Sequence, residues 1–416
     1  MTHMPLSKAA GVAPARPSAV RLTDPAFLAD PGPTLARLRA AGPLYDAKVP
    51  LIGRVRLTTS DAGARALLKD PRFVRDPRAV TGRTMAQTLW FLPRFLSPML
   101  DSLILKDGAD HRRLRTLVEL AFARATIDDM VPQIEAVADG LLDRLDPAAP
   151  VDIVRAYARP LPLHAISILL GVPPADRDRI AGWMAPLTSI NAVTFFRAMP
   201  GMWRTIRHFR RDIRRGAEAD TVMIRHLVAA EEDGARLTED EILSLVVLLF
   251  MAGHETTVHM IADATWSLAK EPSLRAGLFG DEAHLKVAVE EFFRFHSPVM
   301  MTKMLTATED LDFLGASVRK GERLSAFLLA ANHDPDRWEV PDTLNPDRLP
   351  NPHLGFGFGP HVCLGMQLAR AEVRVALRRL FTRFPNLALA DPARPPTYGR
   401  RFGIRSIPRL DLRLSP

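Results

Sequence analysis

The only cysteine among the 416 residues stands in Phe356-Gly357-Phe358-Gly359-Pro360-His361-Val362-Cys363-Leu364-Gly365, a glycine-rich loop that runs into a helical pattern. A lone cysteine has no internal disulfide partner, so three chemistries remain: an inert buried thiol, a nucleophile or a metal ligand. Gly357, Gly359 and Gly365 allow the backbone to take positive φ and to approach a flat group closely. Beyond them Leu368, Val373, Leu377, Leu380 and Phe381 share one helix face, and Pro385 marks its end. Cys363 is therefore expected at a helix N-terminus, where unpaired N–H groups and the positive dipole end stabilise a thiolate. An ionised sulfur favours nucleophile or ligand over filler.

A second candidate centre is Ala252-Gly253-His254-Glu255-Thr256-Thr257. It interrupts a segment in which only Ser244 is polar between Ile242 and Gly253. Gly and Thr are poor helix residues, and an acid inside a buried helix is costly without a partner. Such a conflict between local sequence and surrounding helix often marks a function. Two weaker pairs accompany it. His111 and Arg115 are four apart on one helix face, and Glu291 and Arg294 are three apart. Alone, each pair is most simply a solvated helix edge.

These residues need elements to hold them. Thr238-Glu239-Asp240-Glu241 is a capping box, with Leu237 and Ile242 as its hydrophobic staple, so a helix is expected from there to about Lys270, before Pro272. Apolar on nearly all sides, it reads as a buried central strut. A short helix is expected over Pro33–Ala41, and a strand over Val55–Thr59 leads to a helix capped by Ser60 or Asp61. Residues 1–20 read as a poorly ordered Ala/Pro arm without the apolar core of a signal peptide. With no run of ~18 apolar residues, no transmembrane helix is expected, and the protein is placed in the cytoplasm.

The cysteine loop resembles, at every fixed position, the haem-binding signature of the cytochrome P-450 monooxygenases, Phe-Gly-x-Gly-x-His-x-Cys-x-Gly. The resemblance implies a mainly α fold with a small β region, one catalytic domain over residues 21–416, and haem b held between the central helix and the helix after the cysteine loop. It implies Cys363 as the iron's thiolate ligand, His361 as a hydrogen-bond donor to a haem propionate and Phe356 as the aromatic beside the sulfur, with Gly357, Gly359 and Gly365 shaping the loop. His111 and Arg115 match the family's His-x-x-x-Arg propionate element. Ala252 and Gly253 match the oxygen niche, Thr256 the residue whose hydroxyl bonds the Ala252 carbonyl and opens a distortion in the helix, and Glu255 its proton-relay partner. His254 and His259 are incidental on this reading.

Glu291, Arg294 and Arg348 match the family's structural Glu-x-x-Arg…Arg triad, which holds the cysteine loop. One departure stands out. Leu305 occupies the place of an arginine that the family directs to a propionate, and Lys303, two residues earlier and so on the same strand face, is expected to substitute. Trp90, Phe91, Leu249, Val299, Met300, Met301, Phe402 and Ile404 are the expected substrate contacts, and the Trp183–Trp203 region a mobile lid.

The chain is 47% hydrophobic and 25% charged, with 55 Lys+Arg against 47 Asp+Glu. The net charge of +8 rests on scattered arginines without a nucleic-acid-binding motif. Nucleic acid is excluded as a partner, and a basic patch for an acidic electron-transfer protein is left. The expected activity is insertion of one oxygen atom from O2 into an apolar small molecule. Two electrons come from NAD(P)H through a separate reductase and a ferredoxin or similar donor. Peroxide-driven oxygenation, a non-turnover haem sensor or binding protein, and a Cys363–His361 hydrolase are the rivals. The Glu255–Thr256 pair opposes the first, and the two-residue spacing gives the last poor base geometry.

Overall fold

The computed structural model describes residues 21–49, 53–88, 93, 97–119, 124–184, 192–229, 231–232, 235–399 and 402–415. The proposed arm over 1–20 and the candidate contacts Trp90 and Phe91 lie outside them.

The elements that bear on the site run β1 (Leu44–Val49), β2 (Gly53–Thr58), α1 (Asp61–Lys69), β3 (Phe73–Val74), α2 (Gly108–Glu119), α3 (Arg124–Leu142), α4 (Pro160–Leu170), α5 (Ala192–Arg215), α6 (Glu239–Lys270), α7 (Glu282–His296), β4 (Leu305–Ala307), β5 (Arg323–Ser325) and α8 (Met366–Arg383). Helices thus carry most of the chain, as the sequence leads one to expect. The short helix expected at Pro33–Ala41 is Gly32–Ala41. Ser60, not Asp61, caps α1, its Oγ accepting from the Gly63 N–H at 3.1 Å.

The five strands form one sheet in the order β1-β2-β5-β4-β3, antiparallel throughout except for β5 beside β2. At its edge Phe73 faces Ala307 and Val74 faces Thr306.

α6 starts at the expected box. The Thr238 hydroxyl accepts from the Glu241 N–H at 3.2 Å, and the Glu241 carboxylate accepts from the Thr238 N–H at 2.9 Å. Three acids in its first turn and Lys270 in its last complement the helix dipole. The helix spans about 48 Å at 1.5 Å per residue and packs against α4, α5 and α8. It is also apolar enough to cross a membrane by length and composition, with a mean hydropathy of 1.5 over 18 residues, contrary to the expectation from uninterrupted apolar runs. Averaging tolerates the few polar residues that break such a run. With 67% of that window buried inside the protein, this helix is a core strut.

Burial along α6 is uneven. Leu243, Leu245, Val246, Val247 and Phe250 are buried before the unusual motif, and Val258, Met260, Ile261 and Leu268 after it. Between them Met251 and Ala252 are exposed, and Gly253, Glu255 and Thr256 are half-buried. The neighbours of α6 cover its two ends and leave its middle open.

Candidate active site

The cysteine loop is built by its glycines and held from several sides. Gly357 and Gly359 have φ of 73° and 76°, a region closed to most side chains. A Cβ on Gly359 would also lie 2.6 Å from the Leu68 carbonyl oxygen, so α1 can pack this close only against glycine. Gly365 differs from expectation. Its φ is −86°, and it serves as the N-cap of α8. The Cys363 N–H donates to the Phe356 carbonyl at 2.8 Å, closing the loop. The Phe356 ring packs 4.4 Å from Phe293 under the Arg370 guanidinium, which lies 4.7 Å from the ring centre.

Cys363 precedes the first residue of α8, Met366. The Gly365 N–H bonds to its sulfur, and Arg115 and Arg370 favour its ionised form, yet burial outweighs them and pushes the thiol up. The expectation of a free thiolate is therefore corrected: a helix end acts over a single turn, whereas desolvation acts on the whole sulfur. A bound metal ion would remove the proton outright.

Behind the loop lies a buried knot of charge. Arg294 and Glu291 are both fully buried and doubly hydrogen-bonded, at 2.7 and 2.8 Å. Arg294 also donates to the carbonyls of Asn332, Pro341 and Thr343, while Glu291 accepts from the Asn345 N–H, Asn351 and Arg348. Both Glu291 oxygens and all three guanidinium nitrogens of Arg294 are engaged. The expected triad is present, and it ties α7 to the segment leading into the cysteine loop.

On α6 the Thr256 hydroxyl donates to the Ala252 carbonyl at 3.0 Å, and Thr257 does the same to Gly253 at 3.1 Å. The expected Thr256–Ala252 bond is thus present, within an α-helix that is continuous from Glu239 to Lys270. Glu255 lies 3.7 Å from His259. His254 is buried against the Arg159 carbonyl at 3.0 Å.

A third group gathers beside the loop. The His111 and His361 rings lie 4.1 Å apart, and His361 Nε2 is 3.4 Å from Asp107. Burial, with the charges of His361 and Arg115 adding to it, pushes His111 down to about 4. At neutral pH these rings act as hydrogen-bond donors and not as cations. Arg115 clamps the loop, donating to the carbonyls of Pro360 and Val362 at 3.1 and 2.7 Å and to Glu119 at 2.8 Å. Lys303 departs from its expected relation to Leu305. It precedes β4, and it is exposed where Leu305 is buried, so strand alternation does not put them on one face.

The substrate candidates divide by exposure. Val299 bridges Ile404, and the Met300 N–H donates to the Gly403 carbonyl at 2.9 Å, so this segment and the C-terminal turn form one wall. Val299, Phe402 and Ile404 are half-buried, whereas Leu249 and Met301 are nearly covered. Met300 is fully buried, a core residue and no contact for a ligand. An extended segment alternates faces, so three successive residues do not all point one way.

A family profile described as Cytochrome P450 matches residues 283–408. Vitamin D(3) 25-hydroxylase of Pseudonocardia autotrophica is 36% identical over 393 residues, covering 94% of this chain and 95% of that protein. The solved structure of the myxobacterial cytochrome P450 CYP267B1 with myristic acid is 33% identical, with a TM-score of 0.85 over 95% of this chain and 99% of that one. P450BioI, solved with an acyl carrier protein bearing hexadec-9Z-enoic acid, is 32% identical, with a TM-score of 0.83 over 94% of this chain and 99% of that one. The chain belongs to the cytochrome P450 family.

As a cytochrome P450 the protein is a monooxygenase of apolar molecules that uses haem b, O2 and NAD(P)H-derived electrons delivered by redox partners. Its residues fit that cofactor. A single soft sulfur donor is presented by a loop that only glycine can build, α6 is left open at Ala252 and half-open at Gly253, and imidazole donors stand beside the loop. A Cβ on Gly253 would meet only Ile166, at an ordinary 3.5 Å, so protein packing does not demand glycine there. Sequence reasoning missed three participants. Asp107 accepts from the backbone N–H groups of Arg75 and Asp76 at 2.7 Å and faces His361. Glu290 grips Arg370 with two bonds of 2.7 Å. The third is Arg75, whose backbone N–H holds the Asp107 carboxylate. Only the position of Asp107, at the start of the His111 helix, offered a local signal.

Proposed function

We propose that Cys363 is the axial thiolate ligand of haem b, that Glu255 and Thr256 move protons to the oxygen site, and that residues 21–416 work as one catalytic unit. The observation that carries the reading is the sulfur of Cys363, fixed by the Cys363–Phe356 backbone bond and accepting the Gly365 N–H. When bound, the haem supplies oxygen activation, with the thiolate pushing electron density toward the iron. The chain's own residues do the rest. The Gly365 N–H and the Arg115 and Arg370 charges temper the donor strength of the sulfur. Arg115, Glu290 and Phe293 keep the loop rigid, and His111 and His361 donate to the cofactor's carboxylates, His361 giving up its Asp107 contact to do so. Thr256, anchored to Ala252, holds its hydroxyl on the bare stretch of α6, and Glu255 stands one residue away as the acid that recharges it.

Val299, Met301, Phe402, Ile404 and Leu249 make an apolar wall suited to a lipid-like substrate. Relatives acting on vitamin D(3), or solved with myristic acid or a carrier-borne fatty acyl chain, support that class. The electron donor we propose is a ferredoxin-type acidic protein docking on the arginine-rich surface, with the enzyme in the cytoplasm. Thr256→Ala tests the proton role. It is expected to keep haem and substrate binding while product per electron pair falls about tenfold or more and peroxide rises. Undiminished product yield would contradict the assignment.

A further inference from the structure

The positive charge beside the cysteine loop is not matched by carboxylate. The carboxylate of Asp107 serves two backbone N–H groups and faces His361, and Arg115 is committed to backbone carbonyls and Glu119. That leaves Arg75, which Asp107 reaches only through space, and Lys303; neither forms a salt bridge among the described residues. Arg75 Nε is shielded from solvent and has no hydrogen-bond partner. A guanidinium held so is costly unless an anion completes it. Asp107 ties Arg75 to the imidazoles: it accepts the Arg75 backbone N–H at 2.7 Å and lies 3.4 Å from His361, whose ring is 4.1 Å from that of His111.

The sheet explains how Arg75 comes to be there. In the antiparallel pairing of β3 with β4, Phe73 faces Ala307 and Val74 faces Thr306. Continuing that register by one residue sets Arg75 opposite Leu305. Directly opposed residues share a sheet face with Cβ atoms about 5 Å apart, so a side chain from one strand can serve a point reached from the other. Cations without a salt-bridge partner beside two imidazole rings are suited to a dicarboxylate. Haem b carries two carboxylates.

We propose that Arg75, supplied from the end of β3 across from Leu305, is the carboxylate-binding arginine of this chain's cofactor site, with Lys303 as its companion cation. The inference rests on haem b being seated by Cys363. Arg75 is thereby a binding residue for the cofactor and has no part in oxygen chemistry.

The test compares wild type, Arg75→Gln and Arg75→Lys, each loaded with haem b or with haem b dimethyl ester, whose carboxylates are uncharged. The rate of transfer to excess apomyoglobin is the readout. With haem b, Arg75→Gln is expected to lose the cofactor about ten- to a hundredfold faster than wild type, the range set by losing charge-assisted bonds. Arg75→Lys should recover most of the difference. With the dimethyl ester, all three should lose it at one rate. Faster loss of both cofactors by Arg75→Gln would show a merely structural role and overturn the proposal, as would unchanged loss of haem b. The red-shifted Soret band of the reduced carbon monoxide complex, recorded on the same samples, reports the Cys363 ligand separately. An intact band with unchanged haem loss refutes Arg75 alone, and a missing band in wild type refutes the seat.

Discussion

Two clusters of charge flank the cysteine loop, and they differ in how completely they satisfy themselves. In the Glu291–Arg294–Arg348 knot every carboxylate oxygen and nearly every N–H has a partner inside the protein. Around Arg75, His111, Lys303 and His361 the cations and donors outnumber the single carboxylate of Asp107. Both clusters use ordinary residue types, and the knot is the more deeply buried of the two. The account of partners separates them further. A closed network stabilises a backbone arrangement, whereas an open one is built to receive something.

The comparison can be strained from the closed side. Glu291→Ala leaves the Arg294 guanidinium fully buried without its anion. Unfolding free energy should drop by about 3–5 kcal/mol, with loss of haem content as the loop loosens. A chemical denaturation curve measures it, and a loss below ~1 kcal/mol would place the knot with dispensable surface pairs.

Glu290 offers a smaller effect with a defined sign. Burial raises its carboxyl, but hydrogen bonds from His353 and Arg370 more than offset this and hold it at about 2, against an ordinary 4.5. A depressed acid contributes stability above its unfolded value and loses it as pH falls. The window therefore lies between pH 4.5 and about 2, and the contribution at neutral pH is at most ~3 kcal/mol. Glu290→Gln should be less stable at pH 7 and show a flatter acid limb across that window. An unchanged limb would remove Glu290 from the frame.

The smallest expected change is at the rim of the knot. Arg348 is partly solvent-exposed and shares Glu291 with Arg294. Arg348→Met should cost about 1–2 kcal/mol. If it matched Glu291→Ala, the distinction between the centre and rim of the knot would fail.

Much of this was legible in the sequence where the signal is local. The Thr238–Glu241 box, the buried face of α8 and the Thr256–Ala252 bond all depend on neighbours within one or two turns. The cysteine loop was legible because few residue types build it. What failed was non-local. Arg75 gains its meaning only from the pairing of β3 with β4, which joins distant parts of the chain. Lys303 was assigned a face by alternation, but the strand begins two residues later, at Leu305. Met300 was read as a ligand contact because apolar residues beside a pocket look alike in sequence, and packing sends it to the core. The Cys363 ionisation was read from a helix end, without the burial that overrides it.

The measurement that tests the central claim most directly is the absorption spectrum of the reduced carbon monoxide complex in wild type and Cys363→Ser. A thiolate from Cys363 predicts a red-shifted Soret band in wild type that is absent from the variant. Retention of that band in Cys363→Ser would contradict the account.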